Sequence, residues 1–287
     1  MKCFLCPKKC GVERSEIKGD GACHMPNQIK IAHYELFQFE EPCISMGKGS
    51  GAIFFSGCNL GCVFCQNYEI STLGKGKIVS KEEFIEIIKE LENAGAENIN
   101  FVSPMHYALQ LVEVLKIYKP KVPVIYNTNG YENESVIEML APYVDVFLPD
   151  FKYCSSKLSG MLSSVPDYFD VALKAIKKMR ELKQDVFDDN GKILQGVIIR
   201  HMILPLCTDD SIKILETIKE QIPNTRVSLM AQYTPYARAK EFKFLNRKIT
   251  KREYNKVLGV YNELGLDGYV QELESATEDY IPNFKFV

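Results

Sequence analysis

Ala52–Asn67 reads AIFFSGCNLGCVFCQN. Its three cysteines, Cys58, Cys62 and Cys65, are spaced C-x3-C-x2-C. They follow a short apolar run, Ile53-Phe54-Phe55, that reads as a buried strand. Iron–sulfur clusters take cysteine ligands one per iron, so three thiolates on one loop can hold three irons of a four-iron cluster. No fourth cysteine stands at close spacing. The fourth iron is then free for something that is not protein, as an open coordination site is free for a substrate.

The chain of 287 residues is 46% apolar and 25% charged, the balance of an ordinary globular protein with a sizeable core. A net charge of −2 gives no broad basic field for nucleic acid or anionic lipid. No apolar run approaches a membrane span, and MKCFLCPKKCG does not read as a signal peptide. The expectation is a soluble cytoplasmic protein with neither nucleic acid nor membrane as partner.

Ten cysteines are many for such a chain. Without a secretory signal, clustered cysteines more often bind metal than form disulfides. Met1 to about Pro42 reads as a small cysteine-rich appendage, with Cys3, Cys6, Cys10 and Cys23 spaced C-x2-C-x3-C-x12-C among glycines that favour tight knuckles. Four thiolates suit a structural zinc or a complete second iron–sulfur cluster. Cys43, Cys154 and Cys207 stand alone and are assigned no role, since a lone cysteine behaves as a small buried apolar residue.

From residue 43 to residue 287 apolar strands alternate with helices. Strands are expected at 53–55, 98–102, 122–126, 144–148, 196–203 and 226–231, with 268–271 as one more. Helices are expected at 81–94, 107–118, 134–140, 167–183, 211–222 and 250–264. Ser80 and Glu83 are placed for a capping box. Asn190-Gly191 marks a hairpin turn. Val171, Ile176, Met179 and Leu182 are the expected core side of one helix; Val257, Leu258, Tyr261 and Leu264 that of another. The only plausible linker is near 40–48. Alternating strands and helices imply a parallel α/β sheet. Fewer than eight units suggest an incomplete (β/α)6 barrel, with a doubly wound open sheet as the structural alternative.

In either architecture chemistry sits at the C-terminal ends of the strands. Those ends carry Ser56-Gly57-Cys58, Ser103-Pro104-Met105-His106, Asn127-Thr128-Asn129-Gly130, Asp150-Phe151-Lys152, Arg200-His201 and Gln232-Tyr233. Asp150 or Asn129 can accept from ribose hydroxyls or an ammonium, and Lys152 and Arg200 can hold a carboxylate. The plainer readings are an ion pair for Asp150, Lys152 and Arg200, a backbone-satisfying position for His106, and structural roles for His33 and His201.

C-x3-C-x2-C after an apolar strand, on a βα chain, resembles the radical S-adenosylmethionine (SAM) superfamily. SGCNLGCVFCQN, YNTNGY, FLPDFKY and VIIRHMILP resemble its pyruvate formate-lyase activating enzyme branch, over Gly49 to about Pro235. The N-terminal cysteines resemble those of a subgroup labelled activating-enzyme-like. The resemblance implies a [4Fe-4S] cluster on Cys58, Cys62 and Cys65, with SAM chelating the fourth iron. Reductive cleavage then yields methionine and a 5′-deoxyadenosyl radical that abstracts hydrogen from substrate. It further implies that Asn129, Asp150, Lys152 and Arg200 contact SAM, that Phe64 packs near the adenine, and that a flavodoxin- or ferredoxin-like protein donates electrons. Two motifs depart from the family: VSPMH replaces its Gly-Gly-Glu, leaving Ser103 to serve, and Gln232-Tyr233 replaces its histidine. The substrate is expected to be a glycine of a partner enzyme, or a peptide or small molecule. The rival class is a non-catalytic zinc-thiolate binding protein.

Overall fold

In a computed structural model, which describes residues 2–277 together with Phe284 and Phe286, the chain forms one long sheet backed by helices. The strands are β1 (Lys30–Phe37), β2 (Ser50–Phe55), β3 (Lys77–Ile78), β4 (Ile99–Val102), β5 (Val124–Thr128), β6 (Val146–Pro149), β7 (Val186–Phe187), β8 (Ile193–Met202), β9 (Arg226–Met230) and β10 (Gly268–Val270). The helices are α1 (Tyr68–Ser71), α2 (Lys81–Asn93), α3 (Ala108–Ile117), α4 (Glu134–Leu140), α5 (Ser156–Ser163), α6 (Tyr168–Leu182), α7 (Thr208–Gln221) and α8 (Lys251–Glu263).

The sheet order is β10-β9-β8-β6-β5-β4-β2-β1-β3. Every pairing from β2 across to β10 is parallel. Parallel neighbours follow chain order without reversal, which rules out the doubly wound alternative, because that fold reverses its order at a switch point. The six expected units are present and β10 adds a seventh parallel strand. Among the described residues β10 has no partner on its outer edge, so the barrel is incomplete.

β2, β4, β5 and β6 are buried along their whole length, as parallel strands covered on both faces must be. Alternate residues enter different cores. Phe55, Phe101, Tyr126 and Phe147 face the helices, where Phe84, Leu111, Ile137 and Ile176 meet them. Phe54, Ala52 and Val102 face inward. So do Ile125, Val146, Leu148 and Ile198, which close over Cys43 and Ile44 at the bottom of the barrel. Burying each such ring or branched chain stabilises by about 1.5–3 kcal/mol.

Four expectations change. The appendage expected to reach residue 42 supplies β1, which pairs antiparallel with β2 from Ile31↔Phe55 to Phe37↔Ser50. The chain therefore runs down β1 and turns beneath the barrel through the stretch expected to be a linker. α5 was not expected, since SKLSGMLS has no strong apolar period; Ser155 caps it by accepting from Leu158 N. On α6 the buried face is Ala172, Ala175, Ile176 and Met179, while Val171 is half-buried and Leu182 is exposed. Small alanines let the helix lie close to the strands and turn the branched residues to its flanks. On α8, Val257 and Tyr261 are buried but Leu258 and Leu264 only half so. The expected Ser80–Glu83 capping box is present, and Thr250 and Glu253 form another. The Asn190-Gly191 turn joins β7 to β8 as anticipated.

Residues 2–29 form a knuckled lobe against the C-terminal ends of the strands. Two bridges, Lys2↔Glu13 and Arg14↔Gly19, organise it. Leu5 O accepts from Asn133 Nδ2 at 2.9 Å, and Lys8 Nζ donates to Ser164 O at 3.0 Å. Arg14 donates to the His106 carbonyl. Met25 packs so tightly on Gly57 that a Cβ there would stand 2.2 Å from Met25 Cγ.

Candidate active site

A cavity of about 210 Å³ opens inside the barrel at the C-terminal ends of the strands. Cys58, Cys62, Cys65, Phe64, Ser103, Asn129, Asp150, Lys152 and Arg200 all line it. Every residue expected to hold the cluster or SAM thus faces one space. Gln232 lines it too, whereas Tyr233 turns away and donates to Leu245 O at 2.8 Å.

The cysteine loop leaves β2 at Gly57, whose φ of +85° glycine adopts without strain. Each thiol has a polar neighbour. Asn129 Nδ2 lies 3.4 Å from Cys58 Sγ, Ser163 Oγ donates to Cys62 Sγ at 3.0 Å, and Cys65 Sγ and Ser71 Oγ are 3.2 Å apart. Ser163 comes from α5, which also accepts Val63 N at Leu162 O. Burial pushes the Cys65 thiol up to about 12 and raises that of Cys62, against the opposing charge of Lys152. Such thiols are poor anions alone and become thiolates when iron supplies the countercharge. Among the described residues no three His, Cys, Asp or Glu are set to hold a single metal ion. A cluster does not ask for a single-ion site, because each thiolate binds a different iron.

Below the thiols Asp150 sits between two cations. Lys152 Nζ donates to Oδ2 at 2.6 Å and Arg200 Nε to Oδ1 at 2.9 Å. Arg200 Nη2 also donates to Asn127 Oδ1 at 2.6 Å. Burial alone would raise the Asp150 carboxyl, but Arg200 and Lys152 outweigh it and hold the group below its usual range. Burial opposes the Lys152 ammonium, and Asp150 more than offsets that. The expected ion pair is thus present, and its three members also line the cavity. Tyr168 OH, from α6, lies 2.8 Å from the carbonyls of both Asn129 and Asp150 and accepts from Lys152 N, tying the ends of β5 and β6 together.

Gly130 turns the chain after β5 with φ +79°, and a Cβ there would stand 2.4 Å from Asp150 O. Gly130→Ala is expected to destabilise by about 1–3 kcal/mol through left-handed strain, before the clash is counted. A urea midpoint measures it; an unchanged midpoint would show that the two strand ends are not coupled through this contact.

Phe64 stands edge-on to Tyr153 and Tyr233, at 6.4 and 6.0 Å, leaving it a fixed wall for a flat ring. Gln66 Nε2 is buried on the cavity without a partner, a donor awaiting an acceptor. Ser103 adopts φ +57°, uncommon for a residue with a side chain, and its N–H is spent on Asn127 O at 2.8 Å. Its hydroxyl and carbonyl are what it offers in place of the missing motif. Carboxylate, ammonium, guanidinium, amides and an aromatic wall are a donor set that fits an amino-acid nucleoside beside an iron–sulfur cluster.

His106 Nε2 lies 2.7 Å from Ser56 O, and burial followed by the Arg14 charge lowers it to about 3, so it is neutral and structural. His201 Nδ1 lies 2.7 Å from Phe151 O. His33 faces Glu35 at 3.5 Å. Cys43 and Cys207 are buried as plain apolar residues and Cys154 half-buried. The N-terminal cysteines share one neighbourhood: Cys6, raised to about 12 by burial, also feels Cys23, Cys10 and Cys3. No residue of 2–29 lines the cavity. The lining residues that the sequence reading did not single out include Phe37, Phe39, Glu40 and Glu41, from segments read as appendage or linker, and Gln271, from the end of the last expected strand.

A partial βα barrel with clustered thiols at its mouth and an ionic cavity beneath defines a metallocofactor enzyme. The model of the radical SAM superfamily matches residues 52–213. An uncharacterized protein of Methanocaldococcus jannaschii is 32% identical over 280 residues, covering 92% of this chain and 75% of that one. The pyruvate formate-lyase-activating enzyme of Clostridium pasteurianum is 27% identical over 206 residues, covering 66% and 80%. SuiB of Streptococcus suis, solved with SAM bound, shares the fold with a TM-score of 0.54 at 18% identity, covering 77% of this chain and 50% of that one. This chain thus spans about half the length of SuiB.

The chain belongs to the radical SAM superfamily. It is a radical SAM enzyme, with a [4Fe-4S] cluster and SAM as cofactors, and the rival class of a zinc-only binding protein is set aside. No helix among the described residues is long and apolar enough to cross a membrane.

Proposed function

We propose that Cys58, Cys62 and Cys65 ligate the cluster, that Phe64, Ser103, Asn129, Asp150, Lys152 and Arg200 hold SAM, and that the enzyme abstracts hydrogen from a substrate bound deeper in the same cavity. The observation that carries this is the convergence of all nine side chains on one space. The bound cofactors supply reductive cleavage of the sulfonium to a 5′-deoxyadenosyl radical. The chain's own residues do the rest. Asn129, Ser163 and Ser71 set hydrogen-bonding partners at the sulfurs and so tune the potential at which an electron enters. Lys152 and Arg200, pre-positioned on Asp150, present guanidinium and ammonium donors to a carboxylate. Phe64 offers its face to the purine, and the buried walls exclude water.

The hydrogen donor in this reading is a glycine of a partner enzyme, with a peptide or a small molecule as the second choice; likeness to the clostridial activating enzyme supports the first. We also propose Cys3, Cys6, Cys10 and Cys23 as a second metal centre, zinc or iron–sulfur, on the ground of their shared neighbourhood; zinc would require the four thiols to draw closer, since they are not set around a single ion here. A flavodoxin- or ferredoxin-like protein is the proposed electron donor. The test is anaerobic reconstitution with iron and sulfide, followed by SAM and dithionite. Release of 5′-deoxyadenosine is the expected result. A colourless protein that holds only zinc and leaves SAM intact would sink the proposal.

A further inference from the structure

Glu40 and Glu41 follow β1 in the turn beneath the barrel and project into the cavity floor. Glu41 is 7% exposed; its carboxyl shares a hydrogen bond with that of Glu40, and its Oε2 is buried with no other partner. Glu40 Oε1 accepts from Asn100 Nδ2 at 2.8 Å, and its Oε2 lies 3.6 Å from Arg200 Nη1. That guanidinium is already engaged by Asp150 and Asn127. The cavity is thus lined by three carboxyls, Glu40, Glu41 and Asp150, against two cations, Lys152 and Arg200. A buried carboxylate oxygen without a partner costs free energy and persists where a ligand satisfies it.

The wall beside this floor is aromatic. Phe37, Phe39 and Phe54 line the same cavity, with Phe37 edge-to-face against Phe39 at 5.7 Å and against Phe54 at 6.3 Å. Carboxylates beside phenyl faces are what holds an organic cation, through charge-assisted hydrogen bonds and attraction to the ring quadrupoles. An anionic or wholly apolar group would gain nothing from either.

We propose that Glu40, Glu41 and the Phe37–Phe39–Phe54 wall form the substrate subsite, and that the substrate presents an ammonium or guanidinium group to it. This rests on the reading of the cavity as the SAM and substrate chamber, and it deepens that reading by naming the substrate's charge. Burial, and then the charge of Glu41, push the Glu40 carboxyl up to about 8, so one member of the pair keeps its proton until a cation arrives. The lysine or arginine side chain of a peptide and a free amine share this chemistry.

The probes are n-butylamine, n-butylguanidine, n-butanol and butyrate, together with acetyl-Ala-Lys-Ala-amide and its norleucine counterpart. Each is titrated calorimetrically into the reconstituted, SAM-loaded enzyme at up to about 10 mM, where even weak binding is read. The two cations and the lysine peptide should bind, and the neutral and anionic analogues should not. Lysine-peptide affinity at least about tenfold above that of butylamine points to a peptide source, and the reverse to a small amine. Glu41→Gln should weaken cation binding by about tenfold or more, the loss of a charge-assisted hydrogen bond. Phe39→Leu, at a side chain 52% exposed and so little needed for folding, should weaken it by about two- to tenfold. Absence of cation binding to the wild type, equal binding of n-butanol, or affinities unchanged in both variants would overturn the subsite. Release of 5′-deoxyadenosine by the wild type, measured on the same preparation without any probe, separates that failure from failure of the enzyme reading.

Discussion

Cys62→Ala should abolish 5′-deoxyadenosine formation from SAM, while Cys6→Ala retains a measurable part of it. Cys62 is the middle ligand of the proposed set and lies buried between the cavity and α5. Loss of an outer-shell partner at a metal site costs about 10–100-fold, so loss of the ligand itself should exceed that. Iron content should fall with activity, because two remaining thiolates leave two irons without protein. Cys6 stands in the knuckled lobe and does not line the cavity. Its loss should remove the N-terminal metal and loosen the lobe, whose Met25 and Leu5 brace Gly57 and Asn133. Iron and zinc counted in each variant, beside the product assay, check the division. Equal loss in both variants would mean that the cysteines act as one centre.

The second large effect belongs to Asp150. Asp150→Asn leaves Lys152 and Arg200 facing each other in a largely buried site, their side chains 19% and 17% exposed. Removing one partner of such a network destabilises by about 3 kcal/mol or more, since the orphaned charges keep their desolvation cost. SAM binding should fall with it, because both cations lose the anchor that aims them. The pH dependence has a definite sign. The folded Asp150 carboxyl lies below its usual range, so its contribution to stability is whole above about pH 4 and lost as pH falls through the folded pKa. The raised Lys152 ammonium works at the other end, its contribution whole below about pH 10 and lost as pH rises further. Urea midpoints of wild type and variant should therefore differ most between those limits and converge in acid. A variant as stable as wild type at pH 7 would show that the triad is solvated rather than buried.

The strand ends were legible because their signals are local. Asn129, Asp150, Lys152 and Arg200 each follow an apolar run, and a parallel barrel puts all such ends on one rim. α5 escaped because its serines and Gly160 blur the helical period, and with it went Ser163, the partner of Cys62. Glu40 and Glu41 escaped for a different reason. KIAHYELF carries a mixed pattern beside a conspicuous cysteine motif, and nothing local says that it joins the sheet. Once β1 pairs antiparallel with β2, residues 38–49 must cross beneath the barrel, and two glutamates that looked like linker are carried into its floor.

The sequence alone thus determined the chemistry at the mouth: three thiols at cluster spacing after a buried strand, and polar residues after each strand that follows. Those features depend on spacing along a few residues, which the chain carries wherever it folds. The tertiary structure alone decided what lies beneath them. The Asp150–Arg200 pair, the cradle of α5 behind Cys62 and the acidic, aromatic floor join residues 17 to 160 positions apart. Only the register of β1 on β2 and the inward alternation of the strands bring such residues within hydrogen-bonding or ring-contact distance.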